Sequence, residues 1–135
     1  MRRTAVVLAT AGAALALGAG SASAATHVWA ANQPAGISAH GTYTVSKTGV
    51  TVTVALTKTK KKNNNFAVFL HTQCGATKCD PWSIVSVKDL NKPLDTTFTS
   101  KATKTLKIQT CWAATVTPPI KYGTCSPIRT IALKP

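Results

Sequence analysis

The chain has 135 residues and a formal net charge of +13 at pH 7, because sixteen lysines and arginines face only three aspartates and no glutamate. This length suits one domain, and the excess of positive charge favours attraction to anionic partners. The scarcity of carboxylates, together with the lack of a nucleophile motif or a glycine-rich phosphate loop, disfavours catalysis. We therefore expect a non-enzymatic protein with no cofactor.

The first 24 residues have the three parts of an export signal. Arg2 and Arg3 supply the positive start, the apolar run spans residues 5–17, and Ala22-Ser23-Ala24 gives the small-x-small cleavage pattern. The apolar run is too short to cross a bilayer as a helix. We predict cleavage before Ala25 and a secreted, extracellular, monomeric protein without a transmembrane segment. Its fourteen basic and three acidic residues leave a net charge of +11.

The segment after the signal, residues 25–41, is rich in Ala, Gly, Asn and Pro. It predicts a loose N-terminal arm with one edge strand around Val28 and Trp29. From Thr42 the pattern changes to alternation, and Val50, Val52, Val54 and Leu56 alternate with threonines and Ala55. This period of two is typical of a half-buried β-strand.

About seven strands follow from such patterns and from the turn residues between them. They cover residues 43–45, 50–56, 66–70, 83–87, 96–99, 104–113 and 128–133. We predict an all-β domain over residues 42–135, an antiparallel β-sandwich of immunoglobulin-like or related Greek-key type, with a barrel as the alternative. The predicted core consists of Val52, Val54, Leu56, Val68, Leu106, Ile108 and Trp112.

Four cysteines in a secreted chain indicate two disulfides. Three pairings are possible, and we favour the local one, Cys74 with Cys79 and Cys111 with Cys125. A metal site of His71 with Cys74 and Cys79 is disfavoured, because the spacing does not match the usual zinc pattern and oxidation competes for the thiols. His71 is then expected to be an ordinary polar residue at the end of its strand.

A resemblance to a known group rests on three stretches. These are Ala22-Ser23-Ala24, the Val50-x-Val52-x-Val54-x-Leu56 strand, and Leu106-x-Ile108-x-x-Cys111 followed by Cys125-Ser126-Pro127. In these the chain resembles small secreted two-disulfide β-domain proteins of high-GC Gram-positive bacteria, a group without assigned activity. In size and local disulfides it is also similar to the neocarzinostatin-type chromophore carriers, whose acidic character it does not share.

The aromatic residues allow two interpretations. Trp112 shares a face with Leu106 and Ile108 and is predicted to lie in the core, and Trp82 is predicted to cover the short disulfide loop. Trp29 and Tyr122 lie in irregular stretches and are candidates for exposed aromatic residues that could contact a glycan.

A cluster of positive charge gives the main candidate site. Lys58, Lys60, Lys61 and Lys62 crowd the connection between two predicted strands, so they are expected to project from one end of the fold and to bind polyanions. The alternative is a solvated loop that protects strand edges. The expected function is a secreted, basic, non-catalytic binding protein that acts at anionic surfaces or polymers, such as those of the cell wall. A carrier or recognition module for a small molecule or glycan, and a disulfide-loop protease inhibitor, are the alternatives.

Overall fold

A computed structural model describes residues 25–31 and 34–135, and the predicted export signal lies outside these residues. Every regular element in the described part is a β-strand. No helix in that part is long and apolar enough to cross a membrane. The strands, in chain order, are β1 Thr26–Ala30, β2 Ile37–Ser46, β3 Gly49–Lys58, β4 Phe66–Cys74, β5 Ser83–Val87, β6 Leu94–Ser100, β7 Thr105–Ala113, β8 Tyr122–Cys125 and β9 Arg129–Ala132.

The strands form two antiparallel sheets. One sheet has four strands in the order β1-β2-β3-β6, and the other has the order β9-β7-β4-β5 with β8 also paired to β7. Buried side chains from both sheets join in one hydrophobic cluster. The fold is therefore the predicted all-β sandwich.

Strand β3 shows how the sequence pattern produces this core. Its even-numbered residues from Val50 to Leu56 are at most 2% exposed, whereas the threonines between them lie on the outer face. Threonine fits that face because its β-branched side chain suits an extended backbone. All seven residues predicted to form the core are buried. Removing these apolar side chains from water contributes most of the stabilisation of such a domain.

The prediction of a loose arm is wrong in its extent. β1 is an edge strand, as expected, but it pairs along its whole length with β2, and β2 begins at Ile37 rather than near Thr42. The inward positions of β2 include Ala39 and Gly41. Because Ala39 and Gly41 are small, the alternation of large apolar and polar residues that Ile37 begins is not visible in the sequence.

Both disulfides have the predicted local pairing. Cys111 and Cys125 lie directly opposite each other on β7 and β8, with their Cα atoms 4.0 Å apart. Cys74 and Cys79 face each other across an isolated bridge, with a Cα separation of 3.9 Å. The Cys111–Cys125 disulfide links β8 to β7 and explains this short strand, which the sequence prediction missed.

Candidate functional site

The connection from β3 to β4, residues 58–65, is named here the lysine loop. Lys60 and Lys61 are exposed, and Lys62 is half-buried with its Nζ 5.6 Å from the centroid of the Trp112 ring. Asn63 and Asn64 have φ angles of 45° and 60°. Asparagine tolerates this left-handed region better than most residues, so the pair reverses the chain without a glycine.

Lys58 does not project with the other lysines, which corrects that part of the prediction. It is 3% exposed, and its Nζ donates a 2.9 Å hydrogen bond to the carbonyl oxygen of Asn65. The same Nζ lies 5.8 Å from the centroid of the Trp112 ring. The long apolar stem allows lysine to be buried while its ammonium finds polar and aromatic partners. Lys58 therefore closes the base of the lysine loop rather than offering charge to a ligand.

Backbone hydrogen bonds hold the lysine loop against neighbouring segments. The carbonyl oxygen of Gly36 accepts from the N–H groups of Thr59 at 2.8 Å and Lys60 at 3.4 Å, and the Asn91 N–H donates to the Lys58 carbonyl at 2.8 Å. Gly36 has a φ of 93°, and a Cβ there would lie 2.9 Å from the Trp112 ring. Position 36, whose carbonyl oxygen binds the lysine loop, therefore requires a glycine. These hydrogen bonds order the backbone of the lysine loop before any ligand binds.

Further lysines reach the same end of the sandwich from other connections. Lys88 and Lys92 lie between β5 and β6, Lys121 immediately precedes β8, and all three are exposed. The strand registers place these connections beside the lysine loop, which leads into β4 at Phe66. The end of β5 is next to the start of β4, because Ala67 pairs with Val87. The end of β7 and the start of β8 are there as well, because Ala113 pairs with both Phe66 and Tyr122. The lysine loop together with Lys88, Lys92 and Lys121 is named here the lysine end. The sequence prediction missed these three, although alternating strand directions could have indicated them.

The lysine end is not the only basic region. Exposed Lys47 lies in the turn between β2 and β3, and exposed Lys101 and Lys104 lie in the connection between β6 and β7. The pairing of Val50 with Ser100 puts these two connections at the opposite end of the sandwich. Asp89 and Asp95 lie near the lysine end, and Asp80 lies near the other. Substituting lysines at one end or at the other therefore tests whether a ligand depends on the local charge of the lysine end or on the charge of the whole surface.

Of the two candidate exposed aromatic residues, only Tyr122 is exposed, at 40%. Trp29 is 2% exposed and stacks on Phe69, with ring centroids 5.3 Å apart, which corrects the prediction. Trp82, which is predicted to cover the short disulfide loop, is 45% exposed. The predicted burial of Trp112 is confirmed. Tyr122 and Trp82 do not form a row, because Trp82 is next to β5 and Tyr122 begins β8.

His71 is a buried residue inside the core-facing part of β4, not a polar strand end. Its ring lies 3.8 Å from Phe98 and 5.6 Å from Phe69 between centroids, and its Nδ1 has no hydrogen-bond partner. Burial disfavours the charged imidazolium and lowers the pKa of His71 to about 4. Within the described residues, no group of three His, Cys, Asp or Glu side chains could hold a metal ion.

No protein-family model, curated protein or solved structure matches this chain.

Proposed function

We propose that this is a secreted, non-catalytic protein that binds anionic extracellular polymers through the lysine end. The observation that carries this proposal is the convergence of three separate connections, which bring the exposed Lys60 and Lys61, the half-buried Lys62, and Lys88, Lys92 and Lys121 to one end of the sandwich. Fields from neighbouring like charges add, so such a cluster attracts polyanions more strongly than isolated lysines do.

The fastening of the lysine loop supports binding in a second way. A loop that is already ordered loses less conformational entropy when a ligand binds. The hydrogen bonds from Thr59 and Lys60 to Gly36 and from Lys58 to Asn65 supply that order. The two disulfides support an extracellular setting, where such bonds persist.

The chemistry of lysine limits the type of recognition. Lysine is a compact point charge that positions phosphates or carboxylates but does not read a particular sequence or shape. The ligand class is therefore a polymer with closely spaced negative charges, such as an anionic cell-wall polymer.

The test compares two charge-matched triple variants. One is Lys60→Ser/Lys61→Ser/Lys62→Ser, and the control is Lys47→Ser/Lys101→Ser/Lys104→Ser at the opposite end. Binding of fluorescently labelled linear polyphosphate is measured over a range of NaCl concentrations. Three lost contacts should reduce the log–log salt slope by about 2–3, on a scale of roughly 0.7–0.9 per contact. The control variant should leave the slope nearly unchanged.

Equal losses in the two variants would show that the charge acts diffusely and would contradict the proposal. Thermal unfolding of both variants confirms that each is folded, which matters because Lys62 contacts the Trp112 ring. Since Lys58 is buried, its substitution is left out of the test.

A further inference from the structure

The outer face of the four-stranded sheet carries a groove of about 690 Å³. Its lining includes His40, Gly41, Thr53, Ala55, Asp95 and Thr97, from strands β2, β3 and β6. The groove contains one carboxylate and no lysine or arginine. In a protein with a net charge of +13, this is a surface of different chemical character from the lysine end.

The register of the strands determines the width of the groove. Ala55 lies directly between His40 on one side and Asp95 on the other. Two strand spacings separate the backbones of these flanking residues, a distance of about 9–10 Å. Between them the Ala55 methyl group forms a small apolar floor. This width allows a sugar ring to lie on the methyl group and to hydrogen-bond with the imidazole and the carboxylate at its two edges.

Threonine hydroxyls extend the polar surface along the sheet. Thr42, Thr53 and Thr97 form one cross-strand row, and Thr44, Thr51 and Thr99 form the next. The hydroxyls of Thr42 and Thr53 hydrogen-bond to each other, with their oxygens 2.8 Å apart, and the Thr53 oxygen also accepts from the Thr42 N–H at 2.9 Å. The hydroxyls of the other four threonines can donate and accept hydrogen bonds, as sugar hydroxyls do, and each threonine methyl group can contact an apolar sugar face. The face made by these six threonines with His40, Ala55 and Asp95 is named here the threonine face.

A second hollow, of about 440 Å³, continues the groove along the same strands. It is lined by Thr51 and Thr99 together with Ser46, Thr48 and Lys101. Ala55 and Thr51 are four residues apart on β3, which corresponds to about 13 Å. The two hollows thus suit an extended oligosaccharide better than a single sugar.

The floor of the groove is held from below by Trp29. Its Nε1 lies 3.2 Å from the carbonyl oxygen of Thr53 and 3.3 Å from that of Thr42, to which it donates. The indole passes beneath Gly41, where a Cβ would lie 1.8 Å from the Thr53 oxygen and 3.0 Å from the indole. Glycine is therefore required at this close approach, and the backbone of the groove is fixed before a ligand binds.

We propose that the threonine face binds a neutral linear oligosaccharide, with Ala55 as the floor of the main subsite and Asp95 as an acceptor for sugar hydroxyls. A carboxylate accepts up to four hydrogen bonds and repels an anionic ligand, so it favours an uncharged polyol. This binding is separate from polyanion binding at the lysine end, because the lining of the main subsite shares no residue with the lysine end.

The test uses a panel of neutral hexasaccharides of glucose, N-acetylglucosamine, mannose and xylose, titrated into the protein by calorimetry. At least one should bind the wild-type chain. Asp95→Ala should weaken that binding about tenfold or more, as expected for the loss of hydrogen bonds to a charged group. Ala55→Tyr should abolish it by filling the floor, while Thr130→Tyr, on the outer side of β9 in the other sheet, is the matched control and should have no effect.

Salt dependence separates this proposal from the polyanion proposal. Binding of the neutral hexasaccharide should not change with NaCl concentration and should persist in the Lys60→Ser/Lys61→Ser/Lys62→Ser variant. Failure of the whole panel to bind the wild-type chain would overturn the proposal, as would unchanged affinity in folded Asp95→Ala and Ala55→Tyr variants. Neither result would affect the polyphosphate measurement.

Discussion

Acid should destabilise this protein through His71. The imidazole is 6% exposed and lies between the rings of Phe98 and Phe69. Its Nδ1 has no hydrogen-bond partner, and a proton added there would carry a positive charge into an aromatic interior. The folded protein therefore keeps this histidine neutral until the pH falls to about 4.

The size of the effect follows from the difference in the pKa of His71 between the two states. The pKa is about 4 in the folded protein and 6.5 in the unfolded chain. Between these values the unfolded chain binds more protons, so the free energy of unfolding falls as the pH is lowered from 6.5 to 4 and levels off below. The full loss is about 3 kcal/mol, at 1.36 kcal/mol per pH unit. Above pH 6.5 this contribution does not vary.

The assay is urea unfolding of the wild type and of His71→Phe at several pH values from 4 to 8. Phenylalanine keeps the aromatic contacts, so the stability of the variant relative to the wild type should increase by about 3 kcal/mol between pH 7 and pH 4. Taking the difference between the two proteins removes any pH dependence of stability that they share. His40→Phe, at an exposed histidine, is the control. A difference that stays constant with pH would refute the reasoning.

Two further predictions concern stability. Replacing the disulfide by Cys111→Ser/Cys125→Ser should lower the free energy of unfolding by about 3 kcal/mol, because the crosslink of residues 14 apart restricts the unfolded chain; urea unfolding measures it, and an unchanged midpoint would contradict it. Lys58→Met keeps the apolar stem but leaves the Asn65 carbonyl without its donor, so a loss of about 1–3 kcal/mol is expected in the same assay. The matched change Lys60→Met, at an exposed lysine, should cost less than about 0.5 kcal/mol.

The elements that could be predicted from the sequence are those in which side-chain alternation is undisturbed. β5 has the predicted bounds, Ser83–Val87, and β7 differs from its prediction by one residue. In β3, large apolar residues alternate with threonines, so both the strand and its buried face follow from the pattern. The four cysteines of the sequence indicate two disulfides and leave three possible pairings, and the structure has the favoured local pairing.

The residues that were predicted wrongly depend on contacts distant in sequence. The burial of Trp29 requires Gly41 on the neighbouring strand and Phe69 on the other sheet, and its short flanking strand gives no periodic signal. His71 is predicted at a strand end because its side chain is polar, whereas the strand continues to Cys74 and His71 takes an inward position in it. Local patterns cannot supply either piece of information, because burial is set by which strands pair.

The proposed surfaces adjoin each other, and this bears on the type of ligand. Ala55, the floor of the groove, lies three residues before Lys58 on β3, a distance of about 10 Å along the strand. Asp95 is the second residue of β6, and this strand follows the connection that carries Lys92. A polymer that carries both sugar rings and phosphates could place a sugar on the threonine face while its phosphates contact the lysine end. Because the second contact would then be intramolecular, the combined affinity would exceed that of either site alone, even where each separate site binds weakly. A polymer of mixed character would thus use both proposed sites, whereas a neutral oligosaccharide or a simple polyanion would use only one of them.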